Sequence, residues 1–430
     1  MNQEFWFQVG SNSPKLSLDA GPGADCAMTT LSTNTPNART RAISSPGRTL
    51  WTACAAHALH DGYSDLIYLL LPIWQAEFAI GYASLALLRG LAAASMAGLQ
   101  VPASRLAEHI GGRATLALGT ALAAIGYVAA GYSAGLVGLC VALGVIGCGL
   151  STQHPIASAA VSRAYRGDAR GPLGTYNFAG DIGKAAIPSG ASLLLAFMSW
   201  HQMLWALALL GAIVAVAVAI FLPANLRPVS PSAKLIHRSS GARGGFALLL
   251  AIGILDSSVR MGFLTFLPFL LKEQGASLST IGQALALVFI GGAAGKFACG
   301  WLGARLGVLA TVLLTEAGTA AAILAVLLLP LNPMLVLLPV VGLLLNGTSS
   351  VLYGTVPELA PSGRHEKAFA IFYTGTIGAG ATAPILFGLL GDAVGSHGAM
   401  MATALTAAAI LPLAMALAPR LSAGVSALHD

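Results

Sequence analysis

The chain has 430 residues, 56% of them hydrophobic and only 9% charged, with a formal net charge of +6 and a mean hydropathy of +0.78. A soluble domain carries about 25% charged residues, so this composition excludes a soluble catalytic domain and indicates an integral membrane protein of the helical type. The positive balance does not mark a nucleic-acid binder, because the cations sit in particular loops and none clusters with aromatics. The cysteines, Cys26, Cys54, Cys140, Cys148 and Cys299, suggest no pairing and read as small apolar packing residues.

Residues 1–45 are polar and rich in Ser, Thr, Asn, Gly and Pro, which predicts a disordered cytoplasmic tail. The first apolar segment, Trp51 to Trp74, is long enough to cross a bilayer, which takes about 20 residues. Its middle nevertheless carries His57, His60, Asp61 and Asp65. In a helix His57, Asp61 and Asp65 stack on one face. Each charge at the bilayer centre costs about 2.5–3.5 kcal/mol on insertion scales. Such a stripe turns toward partners or a watery cavity; a buried polar cluster that only fixes helix packing is the plainer alternative.

Twelve apolar segments are predicted in all, near 49–74, 82–104, 113–133, 135–162, 172–197, 201–222, 246–271, 280–302, 308–330, 333–356, 368–391 and 398–419. The longest linker, 223–245, is basic and rich in Pro, Ser and Gly. It divides the chain into six-helix bundles over 46–222 and 246–420, with 421–430 as a second cytoplasmic tail. Arg39, Arg41, Arg48, Arg105, Arg113, Arg163, Arg166, Arg170, Arg227, Lys234, Arg238, Arg243, Arg305, Arg364, Lys367 and Arg420 fall on one side, and the opposite loops offer only Lys272. By the positive-inside rule both termini are cytoplasmic, as for a multi-pass protein of the cell (inner) membrane.

The two halves repeat. Leu71-Pro72 matches Leu267-Pro268, Glu77 matches Glu273, Leu106 matches Leu302, Gly111 matches Gly307 and Pro188 matches Pro384, every pair 196 residues apart. One gapless offset across several helices predicts a parallel repeat about an axis along the membrane normal, as in secondary transporters with two six-helix halves. Ionisable positions diverge on this frame. Asp61 stands opposite Ser257, Asp65 opposite Met261, His60 opposite Asp256, Ser64 opposite Arg260, Asp181 opposite Ile377 and Lys184 opposite Gly380. Asymmetric chemistry on a symmetric scaffold points to a substrate and ion site between the halves.

The 104–113 loop reads SRLAEHIGGR. It resembles the loop signature of the major facilitator superfamily, with Glu108 in the acidic place, His109 and Arg113 in the basic places and Gly111 at the turn. Its counterpart GWLGARLG, residues 300–307, keeps Gly300, Arg305 and Gly307 but has Ala304 in the acidic place. Acids and bases at this junction could latch one half to the other; ordinary juxtamembrane charge is the alternative. His57, Asp61, Pro72, Gln75, Glu77 and Phe78, with His154-Pro155 and with Gly180, Gly183 and Pro188, resemble the fosmidomycin-resistance proteins, a drug-exporter branch of that superfamily. Asp181 and Lys184 depart from the branch's usual Asn and small residue, which leaves the substrate open. The resemblance implies a monomer with the twelve-helix fold.

Arg89 lies deep enough in its span to need a partner, or it snorkels outward. Asp256 with Arg260, and Asp181 with Lys184, neutralise themselves along one helix or contact substrate. Lys296 reads as snorkelling at the cytoplasmic end; Glu316 lies in the ninth span, of a kind usually peripheral in the superfamily it resembles, and is assigned no role. His154 is a titrating gate or a packing histidine, and Tyr63 a wall of the cavity. Tyr68 serves the same role as Tyr63 or is plain packing. No phosphate-binding loop, metal cluster or nucleophile–base set stands out, so no enzyme, no cofactor and no ATP-driven pump is expected. The expected function is proton-coupled export of a small molecule by alternating access. Asp61, Asp65, His57 and Asp181 would carry the proton. Substrate would meet His60, Tyr63, Arg89, His154, Lys184, Asp256 and Arg260; an anionic or phosphonate-like compound would suit the cations if the acids do not consume them. Proton-coupled metabolite uptake is the alternative within transport, and a non-transporting receptor the alternative outside it.

Overall fold

The structure, a computed structural model, describes residues 46–165, 169–223, 244–360 and 365–426. The expected tail at 1–45 and nearly all of the expected linker lie outside these. The elements are α1 (Pro46–Phe78), α2 (Tyr82–Gly98), α3 (Gln100–Ile110), α4 (Gly112–Gly131), α5 (Leu136–Leu150), α6 (Gln153–Ala164), α7 (Arg170–Leu194), α8 (Trp200–Phe221), α9 (Gly245–Glu273), α10 (Leu278–Leu328), α11 (Leu331–Leu359) and α12 (His365–Ser426).

Length and apolarity alone qualify seven helices as spans, α5 and α6 counting as one, or eight when α2 and α3, bent by 44°, are joined. Two of these are too long for one crossing. α10 has 51 residues and α12 has 62; at about 1.5 Å per residue each exceeds twice the roughly 30 Å hydrocarbon core. Each is broken by one glycine with left-handed φ, Gly307 (80°) and Gly395 (80°), so each supplies two spans. α1 and α7, whose polar residues keep them below that apolarity, are long enough to cross as well, which is consistent with twelve crossings among the described residues. The crossings coincide with the predicted segments to within a few residues. Gly111, the repeat partner of Gly307, also has positive φ (88°); this turn demands glycine in both copies.

Odd-numbered crossings start at the end of the molecule where α1 begins, called here the termini end. In the first half α1 lies along α7, and α4 packs on α5 and α8; in the second, α9 lies along α12 and α10 along α11. The halves meet where α2 packs on α12 and α7 on α10. With lipid as solvent, such packing rests on close contact rather than water exclusion. At Gly183 a Cβ would collide with the backbone of Ala58, which is how α7 comes near enough to α1 to share its polar face.

The end opposite the termini is closed. α1 is almost wholly buried from Asp65 to Pro72, and Tyr82 packs on Phe266 and Phe269 of the other half. Lys272 Nζ donates to the Pro72 carbonyl at 3.1 Å. The repeat explains one further tie. Ser277 caps α10, accepting from Thr280 N at 3.2 Å, but its counterpart at the start of α2 is Gly81, which has no side chain to do so. Asp392 of the second half caps α2 instead, accepting from Tyr82 N at 2.6 Å and Ala83 N at 3.2 Å. At the termini end α3 and α6 pack on first-half helices, and the His154 side chain on α6 is 45% exposed.

Candidate transport site

Four turns into α1, Asp61 is largely buried, its side chain 14% exposed, and must be satisfied by neighbouring helices. Lys184 Nζ, one helix away on α7, lies 3.4 Å from Asp61 Oδ2 and 4.0 Å from Asp181 Oδ1. Asp181 in turn binds Lys296 of α10 through both oxygens, at 2.6 and 2.8 Å. A chain of alternating charges, Asp61–Lys184–Asp181–Lys296, thus runs from the first half into the second. Lys296 does not snorkel to the end of its span: the cross-half carboxylate of Asp181 holds it, because a paired charge within the membrane costs less than an isolated one.

The other oxygen of Asp61 faces two histidines. His57 Nε2 lies 3.4 Å from Asp61 Oδ1 and His154 Nε2 3.9 Å from it. His57 Nδ1–H donates to the Tyr176 carbonyl at 2.8 Å, and its ring stacks on the Tyr176 ring at 4.1 Å. Gly180 makes room, since a Cβ there would press on Asp61 and His57. The sequence offered no metal-type cluster; packing of α1, α6 and α7 creates one from His57, Asp61 and His154.

Between the halves a small cavity of about 90 Å³ is lined by Asp65, Asp181, Lys184, Arg260, Lys296 and Asn346, among others. Asp181 also borders an apolar groove of about 580 Å³ on the outer wall between α7 and α10, walled by Phe178, Ile182, Ile290 and Phe297. Arg260 reaches Asp256 at 3.9 Å and Ser349 Oγ at 3.5 Å.

Other expected site residues lie elsewhere. His60 is buried against Thr120, Nε2 to Oγ1 at 3.0 Å; the Thr120 hydroxyl already donates to Leu116 O, so His60 is the donor. Tyr63 is fully buried and donates to Leu207 O; it is packing rather than a cavity wall. Arg89 neither snorkels nor reaches Asp61. Its Nε donates to Tyr68 Oη at 2.9 Å and its Nη2 to Met261 Sδ at 3.3 Å, beneath the closed end. Tyr68, whose Oη donates to Met261 Sδ at 3.2 Å, therefore has more than a packing role. Glu316, to which the sequence assigns no role, is 2% exposed and interacts with Asp256 inside the second half. At the 104–113 loop Glu108 and His109 are exposed, and Arg305 lies over the Trp301 ring at 4.3 Å; among the described residues no ion pair reaches Glu108 across the halves.

A two-half bundle with ionised groups around a central cavity, closed at one end, defines a membrane transporter. Residues 53–253 and 246–428 match the family model of the Major Facilitator Superfamily. The chain belongs to that superfamily: it is a multi-pass secondary transporter and not an enzyme. Its fold is similar to the crystal structure of a bacterial homologue of the human lysosomal transporter Spinster, inward-facing and unoccupied, with TM-score 0.73 at 15% identity, over 90% of this chain and 99% of that one. The inward-facing, occupied form of that homologue gives TM-score 0.72 at 14% identity over 87% and 97%. A mutant of the nucleoside transporter NupG gives 0.73 at 12% identity over 86% and 99%. No curated protein matches the chain in sequence.

Proposed function

We propose that the protein is a proton-coupled exporter of a small anionic molecule, of the kind the fosmidomycin-resistance resemblance implies. It would sit in the inner membrane with both termini cytoplasmic and the termini end open to the cytoplasm. The observation that carries this reading is the charge chain itself. Lys184 is held by two aspartates, and Lys296 by one of them. A proton arriving on Asp61 or Asp181 frees an ammonium group; an anionic substrate binding the ammonium groups frees an aspartate. Proton and substrate therefore exclude one another at one set of side chains, which is the requirement for antiport. Asp65 stands in the same cavity as a second proton acceptor, and Arg260 as a further cation on the second half.

Proteoliposomes with an imposed pH gradient test this. Asp61→Asn is expected to insert normally and to lose gradient-driven flux by about 100-fold or more, the scale of stranding one member of a buried ion pair. Undiminished flux in that variant overturns the assignment. Opposite pH gradients across vesicles of known orientation distinguish export from uptake by symport.

A further inference from the structure

Three possible ligand atoms converge beside Asp61. The Tyr176 carbonyl can only accept, so the proton of neutral His57 sits on Nδ1 and Nε2 presents a lone pair. Nε2 is buried, the residue being 3% exposed, and has no hydrogen-bond partner. What it faces is another acceptor, Asp61 Oδ1 at 3.4 Å, with His154 Nε2 3.9 Å from the same oxygen. All three atoms lie within 4.8 Å of one another. His57 Nε2 and Asp61 Oδ1, two acceptors so aimed, repel unless a positive centre stands between them.

We propose that His57 Nε2, Asp61 Oδ1 and His154 Nε2 form a three-ligand site for a first-row divalent cation of the Zn²⁺ or Co²⁺ type. Around tetrahedral zinc at about 2.0–2.1 Å, donors stand roughly 3.3 Å apart, so only His154 needs to move inward. Its side chain is 45% exposed and free to do so. The Tyr176 carbonyl on His57 Nδ1 is the outer-shell partner that ligating histidines have, fixing tautomer and ring direction. Two imidazoles and one carboxylate select Zn²⁺, Co²⁺ or Ni²⁺ over Mg²⁺ or Ca²⁺. Lys184 holds the other oxygen, Oδ2, so it opposes the cation electrostatically without occupying its place.

Purified full-length protein in detergent, titrated with Co²⁺ and followed by visible absorption and by calorimetry, tests the site. No transport is involved, so its outcome is separate from that of the flux experiment. One Co²⁺ per chain is expected, displaced by Zn²⁺. His154→Ala, at a half-exposed position where folding is not at stake, should weaken binding by at least the 10–100-fold that loss of even an outer-shell partner costs. Lys184→Met should tighten it by about 10-fold or more by removing a nearby charge, and Glu316→Gln should leave it unchanged. Absence of stoichiometric Co²⁺ in the wild-type protein, or binding indifferent to both His154→Ala and Lys184→Met, overturns the proposal and leaves a proton alone between His57 and Asp61.

Discussion

The two six-helix copies share a frame and divide the chemistry. In the first, His60 bonds Thr120; 196 positions on, Asp256 meets Glu316 at the same joint between the first and third crossings of the second copy. One copy closes the joint with a neutral bond and the other with two carboxyls buried inside its own half. Asp61, Asp181 and Lys184 have no ionisable counterparts, nor do His57 (Gly253) and His154 (Ser350). The first copy holds Asp61, Asp181 and Lys184, whereas the second contributes Lys296 and Arg260 from across the cavity. On the proposed mechanism, charges shared between helices that must separate serve transport, and charges enclosed within one half serve its packing.

Asp61→Asn sets the scale. Next in size is the cross-half link. Lys296→Met leaves Asp181 with only Lys184 at 4.0 Å and should lower flux by about 10-fold, or roughly 1.4 kcal/mol. Joining Asp181→Lys with Lys296→Asp should restore much of the link. Flux in the exchanged pair no better than in Lys296→Met would mean the two residues act separately, and the division between halves would need redrawing.

A smaller effect is expected at the closed end. Asp392→Ala removes the cap that the second half lends to α2, a loss of about 1 kcal/mol. That corresponds to a shift of about fivefold away from the state closed at that end. Distances between spin labels at Glu77 and Val394, both exposed on that end, should broaden toward longer values. A distribution identical to wild type would show that the cap fixes the local helix start and not the closure.

The frame was legible before any coordinates. Apolar length gave the crossings, the 196-residue offset gave the two copies, and the paired glycines at 111 and 307 marked the same turn. Pairs on one helix were legible too, as with Asp256–Arg260 and Asp181–Lys184, because helical spacing alone brings them together. What spacing cannot supply is a partner from another crossing. His154 reaches Asp61 across 93 positions and Lys296 reaches Asp181 across 115, and nothing local in either segment announces it. Tyr176 contributes a backbone carbonyl, which leaves no mark on composition. Lys296 is missed for the same reason: its spacing suggests lipid and bulk water, while its partner is Asp181 on a distant segment.

The smallest expected change is the one that most sharply divides the halves. Glu316, 2% exposed, is as buried as any acid among the described residues, and burial alone would nominate it as a proton carrier. Its neighbours argue otherwise. It meets Asp256, which pairs with Arg260, and Thr348, whose hydroxyl donates to Thr315 at 2.8 Å. All belong to the second half, so none of these contacts need break when the halves rock. Glu316→Gln keeps the shape and a donor toward Asp256. It should lower the melting temperature of the purified protein while altering flux per folded molecule by no more than about twofold, since independent sites couple by only about 0.5 kcal/mol. A loss of flux comparable to that of Asp61→Asn would place a second proton carrier inside the enclosed cluster, and the first copy would no longer be the sole seat of coupling.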